Sequence, residues 1–110
     1  MEKITIDDFA KIEIKAGKII SAEKIENSEK LLKLSVDFGE ETPRQVLSGI
    51  SKFFPNEGDL VGKTCSFVTN LIPREMMGME SQAMILAFST DDNFSLMNVD
   101  ETIPAGTKAK

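Results

Sequence analysis

From residue 32 to 38 the chain alternates without a break: Leu32, Leu34, Val36 and Phe38 are apolar, while Lys33, Ser35 and Asp37 are polar. A repeat of two is the pleat of a strand with one buried face, which makes Leu32, Leu34, Val36 and Phe38 a candidate core face. The same alternation runs through Ile12, Ile14 and Ala16, then changes phase after Gly17, so that Ile20 and Ala22 follow Ile19. A glycine at such a change predicts a bulge and a sharp bend in a long first strand. After the GEETP turn, RQVLSGI predicts a third strand ending at Gly49, and TCSFVTNL a fourth. The unbroken apolar run AMILAFS predicts a fifth strand buried on both faces.

Helical signals are short. In TIDDFAKI, Thr5 is a candidate N-cap, Asp7 and Asp8 fall in the first turn, and Phe9 and Ile12 share a face, which predicts a small helix lidding one end of the sheet. SKFFPNEGDLVGK breaks the strand rhythm; Ser48 or Ser51 is placed to cap a helical turn that Pro55 stops. The tail NFSLMNVDETIPAGTKAK adds a short strand and a Pro-Ala-Gly turn. Five strands, a bent first strand and a helical insertion between the third and fourth predict an all-β fold, a five-stranded OB-fold Greek-key barrel with short helices. No repeat, linker or low-complexity tract divides residues 1–110, so one domain is expected.

Composition then removes function classes. There is no histidine, which takes away the usual general base and the commonest metal ligand, and Ser48 in LSGIS therefore has no triad partner. The single cysteine, Cys65, lies in an apolar stretch and reads as a buried, inert thiol. The glycines fit neither a dinucleotide fingerprint nor a phosphate loop: GKT at 62–64 has Glu57 where the upstream glycine belongs. Adjacent acids at Asp7 and Asp8, Glu40 and Glu41, and Asp91 and Asp92 point in different directions and read as solvated surface. A non-catalytic chain without metal or cofactor is the expectation. The polar start MEKITIDDF has no signal-peptide core and no apolar run is long enough to cross a membrane, so the cytoplasm is the expected compartment.

Net charge is −5, and ten of the thirteen Lys and Arg precede residue 64, leaving Arg74, Lys108 and Lys110 beyond it. Any basic surface must come mostly from the first half. Met76, Met77, Met79 and Met84 cluster in NLIPREMMGMESQAMIL, residues 70–86, where gap filling and an adaptable contact surface are both open readings.

Taken in order, DFAKIEIKAGKIISAEKI, KLLKLSVDFGEETPRQVLSGI, LVGKTCSFVTNL, NLIPREMMGMESQAMIL and PAGTK resemble the tRNA-binding domain found in three settings. It occurs at the C-terminus of methionyl-tRNA synthetases, as free-standing structure-specific tRNA-binding proteins, and in the endothelial monocyte-activating polypeptide II domain. The most specific pieces are Asp37 with Gly39, Arg44 with Ser48-Gly49-Ile50, and Asn70-Leu71 with Pro73-Arg74, Gly78, Ser81-Gln82 and Met84. The resemblance spans nearly the whole chain. It implies an OB-fold that dimerises through its terminal extensions and grips tRNA by shape, adding tRNA affinity to a synthetase whose catalytic domain lies elsewhere. Carried onto matching positions, it implies Arg44 and Arg74 as phosphate contacts and Lys30 or Lys33 as a further cation. Asn70, Ser48, Ser81 and Gln82 become uncharged hydrogen-bonding partners, and Met84 an apolar contact beside a base or sugar.

Two further expectations follow. Ile4, Ile6, Phe9, Leu96, Met97, Val99 and Ile103 exceed what a five-strand barrel needs, which predicts a two-fold homodimer interface. Ile72, Glu75 and Met77 stand where the family commonly carries cations, and Ala83 where it carries glycine, which predicts weak, salt-dependent tRNA binding. The alternative from another class is a dimeric protein-interaction module, similar to CsaA-type chaperone-like proteins, with little tRNA binding.

Overall fold

The structure is a computed structural model that describes residues 1–110. Its centre is β1, Ile14–Lys24, which is long enough to serve two neighbours in turn. The first part, Ile14 to Lys18, pairs antiparallel with β4, Thr64–Val68, and the remainder, Lys18 to Lys24, with β2, Leu32–Asp37. β3, Arg44–Ser48, adds to β2, and the order of the main sheet is β3-β2-β1-β4-β7, with β7 the two residues Met84–Ile85. The sheet curls into a nearly closed all-β barrel of the OB type, as the strand pattern predicts.

The bend arises in two places. Between Ile19 and Ser21 the register with β2 shifts by one residue, so the bulge sits at Ile20, three residues beyond the glycine. Gly17 answers a different need: a Cβ there would stand 2.5 Å from Phe38 Cε1, 2.7 Å from Val36 Cγ1 and 2.9 Å from Phe67 Cδ1. The core therefore closes directly onto the β1 backbone, a space only glycine leaves free.

The alternating residues of β2 are buried as expected, with Leu32, Leu34 and Val36 at most 1% exposed and Phe38 at 3%. Cys65 is fully buried, and burial pushes its thiol pKa up, so the inert reading holds. The insertion between β3 and β4 forms two short 3-10 turns, Ser51–Phe53 and Glu57–Leu60. Neither Ser48 nor Ser51 caps the first; Ile50 precedes it with no side-chain cap, and Asn56 caps the second by accepting from the Gly58 N–H. Leu60, completely buried, plugs the barrel from this side.

Three further expectations change. The AMILAFS run is not one strand buried on both faces. Met84–Ile85 pairs with β4, and after Leu86 the chain forms β8, Ala87–Ser89, which pairs with β9, Phe94–Leu96. Ala83 and Ile85 are buried whereas Met84 and Phe88 are exposed, because β7 ends the sheet and has one covered face. The stretch between the expected fourth and fifth strands contains a hairpin of β5, Arg74–Met76, and β6, Met79–Ser81. Its two-residue turn, Met77 and Gly78, has φ of 51° and 77°, the left-handed pair of a type I′ turn. The N-terminal helix α1, Ile6–Phe9, forms with Thr5 Oγ1 accepting from Asp8 N–H, but it buries none of its residues and so does not lid the sheet.

Candidate nucleic-acid interface

Residues 70–81 leave the end of β4 and return to β7, forming a lip beside the end of β3. Under it lies a groove of about 250 Å³ lined by Leu47, Ser48, Gly49, Leu71, Ile72, Arg74, Met76, Ser81, Ala83, Met84 and Ile85. Its walls are mostly apolar. Ile72, 89% exposed, stands at the rim with Leu71 and Met84.

Strand pairing sorts the charges of the lip. Arg74 lies opposite Ser81 and Met76 opposite Met79, whereas Glu75 lies opposite Glu80. Because successive side chains on a strand alternate faces, Arg74 and Met76 look toward the groove and the two carboxylates look away. Arg74 is exposed and makes no ion pair or hydrogen bond, which leaves its guanidinium free for a ligand. The structure thus brings Arg74, Ser48, Ser81 and Met84 to one groove.

Other expected contacts are committed elsewhere. Arg44 donates through Nε and Nη2 to the two oxygens of Glu40 at 2.9 and 2.7 Å, and through Nη1 to the carbonyls of Thr69 at 2.7 Å and Gln82 at 3.3 Å. It also lies over the Phe38 ring, 5.4 Å from the centroid. Most of the guanidinium's donors are thus committed within the protein, although the side chain is 23% exposed and lines a polar depression together with Lys33. Ser81 is buried, its hydroxyl accepting from Leu47 N–H and donating to the Ala83 carbonyl, both at 3.0 Å. Gln82 exchanges with Gln45, donating N–H to the Gln45 carbonyl and accepting the Gln45 N–H on Oε1, each at 2.8 Å. These bonds satisfy the outer edge of β3, where a further strand would otherwise lie. Asn70 is exposed but also bonded within the chain: Oδ1 accepts from Glu13 N–H and Nδ2 donates to the Lys11 carbonyl, at 2.8 and 2.7 Å.

Of the two lysines, Lys30 is exposed before β2 and unpaired, while Lys33 reaches Glu23 at 3.5 Å beside a second, polar depression that includes Ser21, Ser35 and Gln45. No group of three or more His, Cys, Asp or Glu side chains gathers in a metal-holding arrangement, and no helix is long and apolar enough to cross a membrane.

Two carboxylates beside the lip titrate abnormally. The hydrogen bonds from Arg44 hold the Glu40 carboxyl below its ordinary value, and the Thr69 hydroxyl, donating at 2.6 Å, does the same for Glu13. Depressed folded-state values mean that both groups add stability above the ordinary carboxylate pKa, and that this stability is lost as pH falls through the folded values. The melting temperature is therefore expected to drop below about pH 4, and Glu13→Gln with Glu40→Gln to flatten that acid limb in a series of thermal melts.

The terminal apolar residues divide. Ile4, Ile6, Phe9 and Ile103 are exposed, Met97 and Val99 are half-buried, and Leu96 belongs to the barrel core at 6% exposure, so Leu96 is not available to an interface. The C-terminal segment runs back along β1, with Ala16 N–H donating to Thr107 O and Ala109 N–H to Ile14 O. Ile6, Phe9, Ala10 and Ile12 there meet Lys108, Ala109 and Lys110 around a shallow apolar depression.

The family model described as "Putative tRNA binding domain" matches residues 14–108. The chain belongs to the tRNA-binding domain family. A methionine--tRNA ligase of Lactococcus lactis is 46% identical over 108 residues, which are 97% of this chain and 16% of the ligase. The chain thus spans about a sixth of the curated relatives it matches and corresponds to an accessory, non-catalytic portion of them. Among solved structures, a MetRS related protein from Pyrococcus horikoshii is 40% identical with a TM-score of 0.92 and full coverage of both chains. The chaperone CsaA of Bacillus anthracis is 25% identical with a TM-score of 0.86, covering 99% of this chain and 100% of its own. The resemblance read from the sequence is borne out at the level of family and fold.

Proposed function

We propose that this single domain, residues 1–110, is a non-catalytic tRNA-binding module that raises the tRNA affinity of a cytoplasmic methionyl-tRNA synthetase, as its beta subunit or an appended domain. The observation that carries this reading is the free Arg74 guanidinium over an apolar groove, in a chain of the tRNA-binding domain family. Arg74 takes a phosphate, Ser48 hydrogen-bonds a sugar or base edge, and Met84 with Ile72 packs against an unstacked base. Lys30 and Lys33 extend the track along β2. A-form RNA hides its base edges in a deep major groove, so a protein with few cations recognises tRNA by its shape and its exposed phosphates and loops.

With so few cations, binding is weak and its salt slope is shallow. Fluorescence anisotropy with total tRNA at low salt is expected to show micromolar affinity. Arg74→Ala is expected to reduce the slope of log affinity against log salt by about 0.7–0.9, one released counterion's worth. Absence of binding by the wild-type chain at tens of micromolar, on the order expected for non-specific contacts, would sink the proposal. It would leave the protein-interaction reading that likeness to CsaA supports.

The module also pairs as a homodimer through Ile4, Ile6, Phe9 and Ile103, with Met97 and Val99 at the margin. A symmetric interface covers in both copies the apolar surface that α1 and the terminal segment leave exposed. Light scattering on a sizing column is expected to give twice the monomer mass and Phe9→Asp to halve it; a wild-type monomer at high concentration refutes pairing.

A further inference from the structure

The lip begins after Thr69 and ends before Gln82. The carbonyls of those two residues are the pair that one nitrogen of Arg44, Nη1, holds, at 2.7 and 3.3 Å. Arg44 is 25 residues from one root of the lip and 38 from the other, so the two contacts join three distant parts of the chain at a point. The rest of the guanidinium is fixed by the Glu40 carboxylate at 2.9 and 2.7 Å and by the Phe38 face. The cation's position is over-determined. Beyond the roots the lip is held by Asn70, which bonds Glu13 N–H and the Lys11 carbonyl, by Ser81, and by the Gln45 side chain, whose Nε2 donates to Glu80 O at 2.9 Å.

We infer that Arg44 is a positioning residue that clasps both roots of the 70–81 lip and thereby holds Arg74 over the groove, without itself touching RNA. The inference rests on the tRNA-binding reading for its consequence, though not for its geometry. Only a planar fork does this: four N–H groups in one plane reach a carboxylate on one side and two carbonyls on the other. A lysine ammonium in its place keeps the charge and loses the fork. A clasped lip enters the complex already ordered; a released one must be ordered on binding, which lowers affinity without removing any charged contact.

A phosphate contact and a clasp respond in opposite ways to two substitutions. Arg44→Lys retains the charge and so preserves tRNA binding if Arg44 touches phosphate; as a clasp variant it is expected to lose about fivefold to tenfold in affinity. Arg44→Met removes the charge and lowers the salt slope by about 0.7–0.9 if a phosphate contact is lost; as a clasp variant it leaves the slope at the wild-type value. Hydrogen exchange of the unliganded proteins supplies the readout that needs no RNA. Amides within 70–82 are expected to exchange at least about tenfold faster in Arg44→Lys while those of β2 keep their protection, the pattern of a local opening. Lip amides that exchange as in the wild type, a lysine variant with full affinity, or a methionine variant with a reduced slope would each overturn the inference. If the wild type binds no tRNA, the proposed function fails, and the exchange comparison alone decides whether Arg44 holds the lip.

Discussion

Phe67→Ala is expected to lower the unfolding free energy by about 3–5 kcal/mol, the range for deleting a large buried aromatic. Phe67 is completely buried on β4 and meets Phe38 edge to face, with centroids 5.1 Å apart and planes at 88°. Such a pair adds about 0.5–1.5 kcal/mol beyond area burial. On its other side is the bare backbone of Gly17, close enough that a Cβ would collide with the ring. The walls of the resulting cavity are paired strands, with Phe67 itself in register with Lys15 of β1, so they cannot move inward to fill it. Urea unfolding monitored by circular dichroism checks this: the midpoint falls and the denaturant dependence stays the same. A loss below about 1 kcal/mol would mean that the barrel collapses onto the vacancy, contrary to the packing argument.

The second large effect is expected from Arg44→Ala. Removing the guanidinium strands the Glu40 carboxylate and the carbonyls of Thr69 and Gln82 together. For a fully buried pair, breaking one side costs about 3–5 kcal/mol. Here the side chains of Arg44 and Glu40 are 23% and 38% exposed, so water recovers part of the loss and about 1–3 kcal/mol is expected. A cycle with Glu40→Ala separates the ion pair from the carbonyl contacts: if the pair dominates, Arg44→Ala costs much less once Glu40 is gone. If the carbonyls dominate, the cost is nearly the same in both backgrounds. The clasp geometry favours the second outcome.

Local pattern carried the barrel because its strands obey a period that only the pleat explains. β2 alternates cleanly, and every apolar residue in it is buried. Where the sequence misled, a tertiary fact intervened. AMILAFS is uniformly apolar, and such a run says nothing about which face is covered; Met84 and Phe88 turned out to be surface because the sheet ends there. The β5–β6 hairpin was illegible because methionine occupies the left-handed turn position usually held by Asn, Asp or Gly, with only Gly78 to signal it. At the site, family likeness singled out Arg44, Asn70, Ser81 and Gln82, but a one-dimensional pattern cannot tell a polar group aimed at a ligand from one that satisfies a distant backbone. Each has a partner 25 to 59 residues away. Gln45, which completes the edge of β3, had no signal at all. Arg74 was named beside Arg44 by the same likeness; only in three dimensions does it stand out as the lip cation with no partner.

The way the β3 edge is closed bears on how this protein can change. Ser81 and Gln82 seal that edge with side chains, and the lip is anchored at Thr69 and Gln82, so residues 71–80 form an insert whose attachment does not depend on its own sequence. Substitutions at Ile72, Glu75 or Met77 alter what the tip offers a ligand while the barrel beneath keeps its register. Recognition and folding are thus separately mutable, and a tip transplanted from a more basic relative would bring its affinity with it.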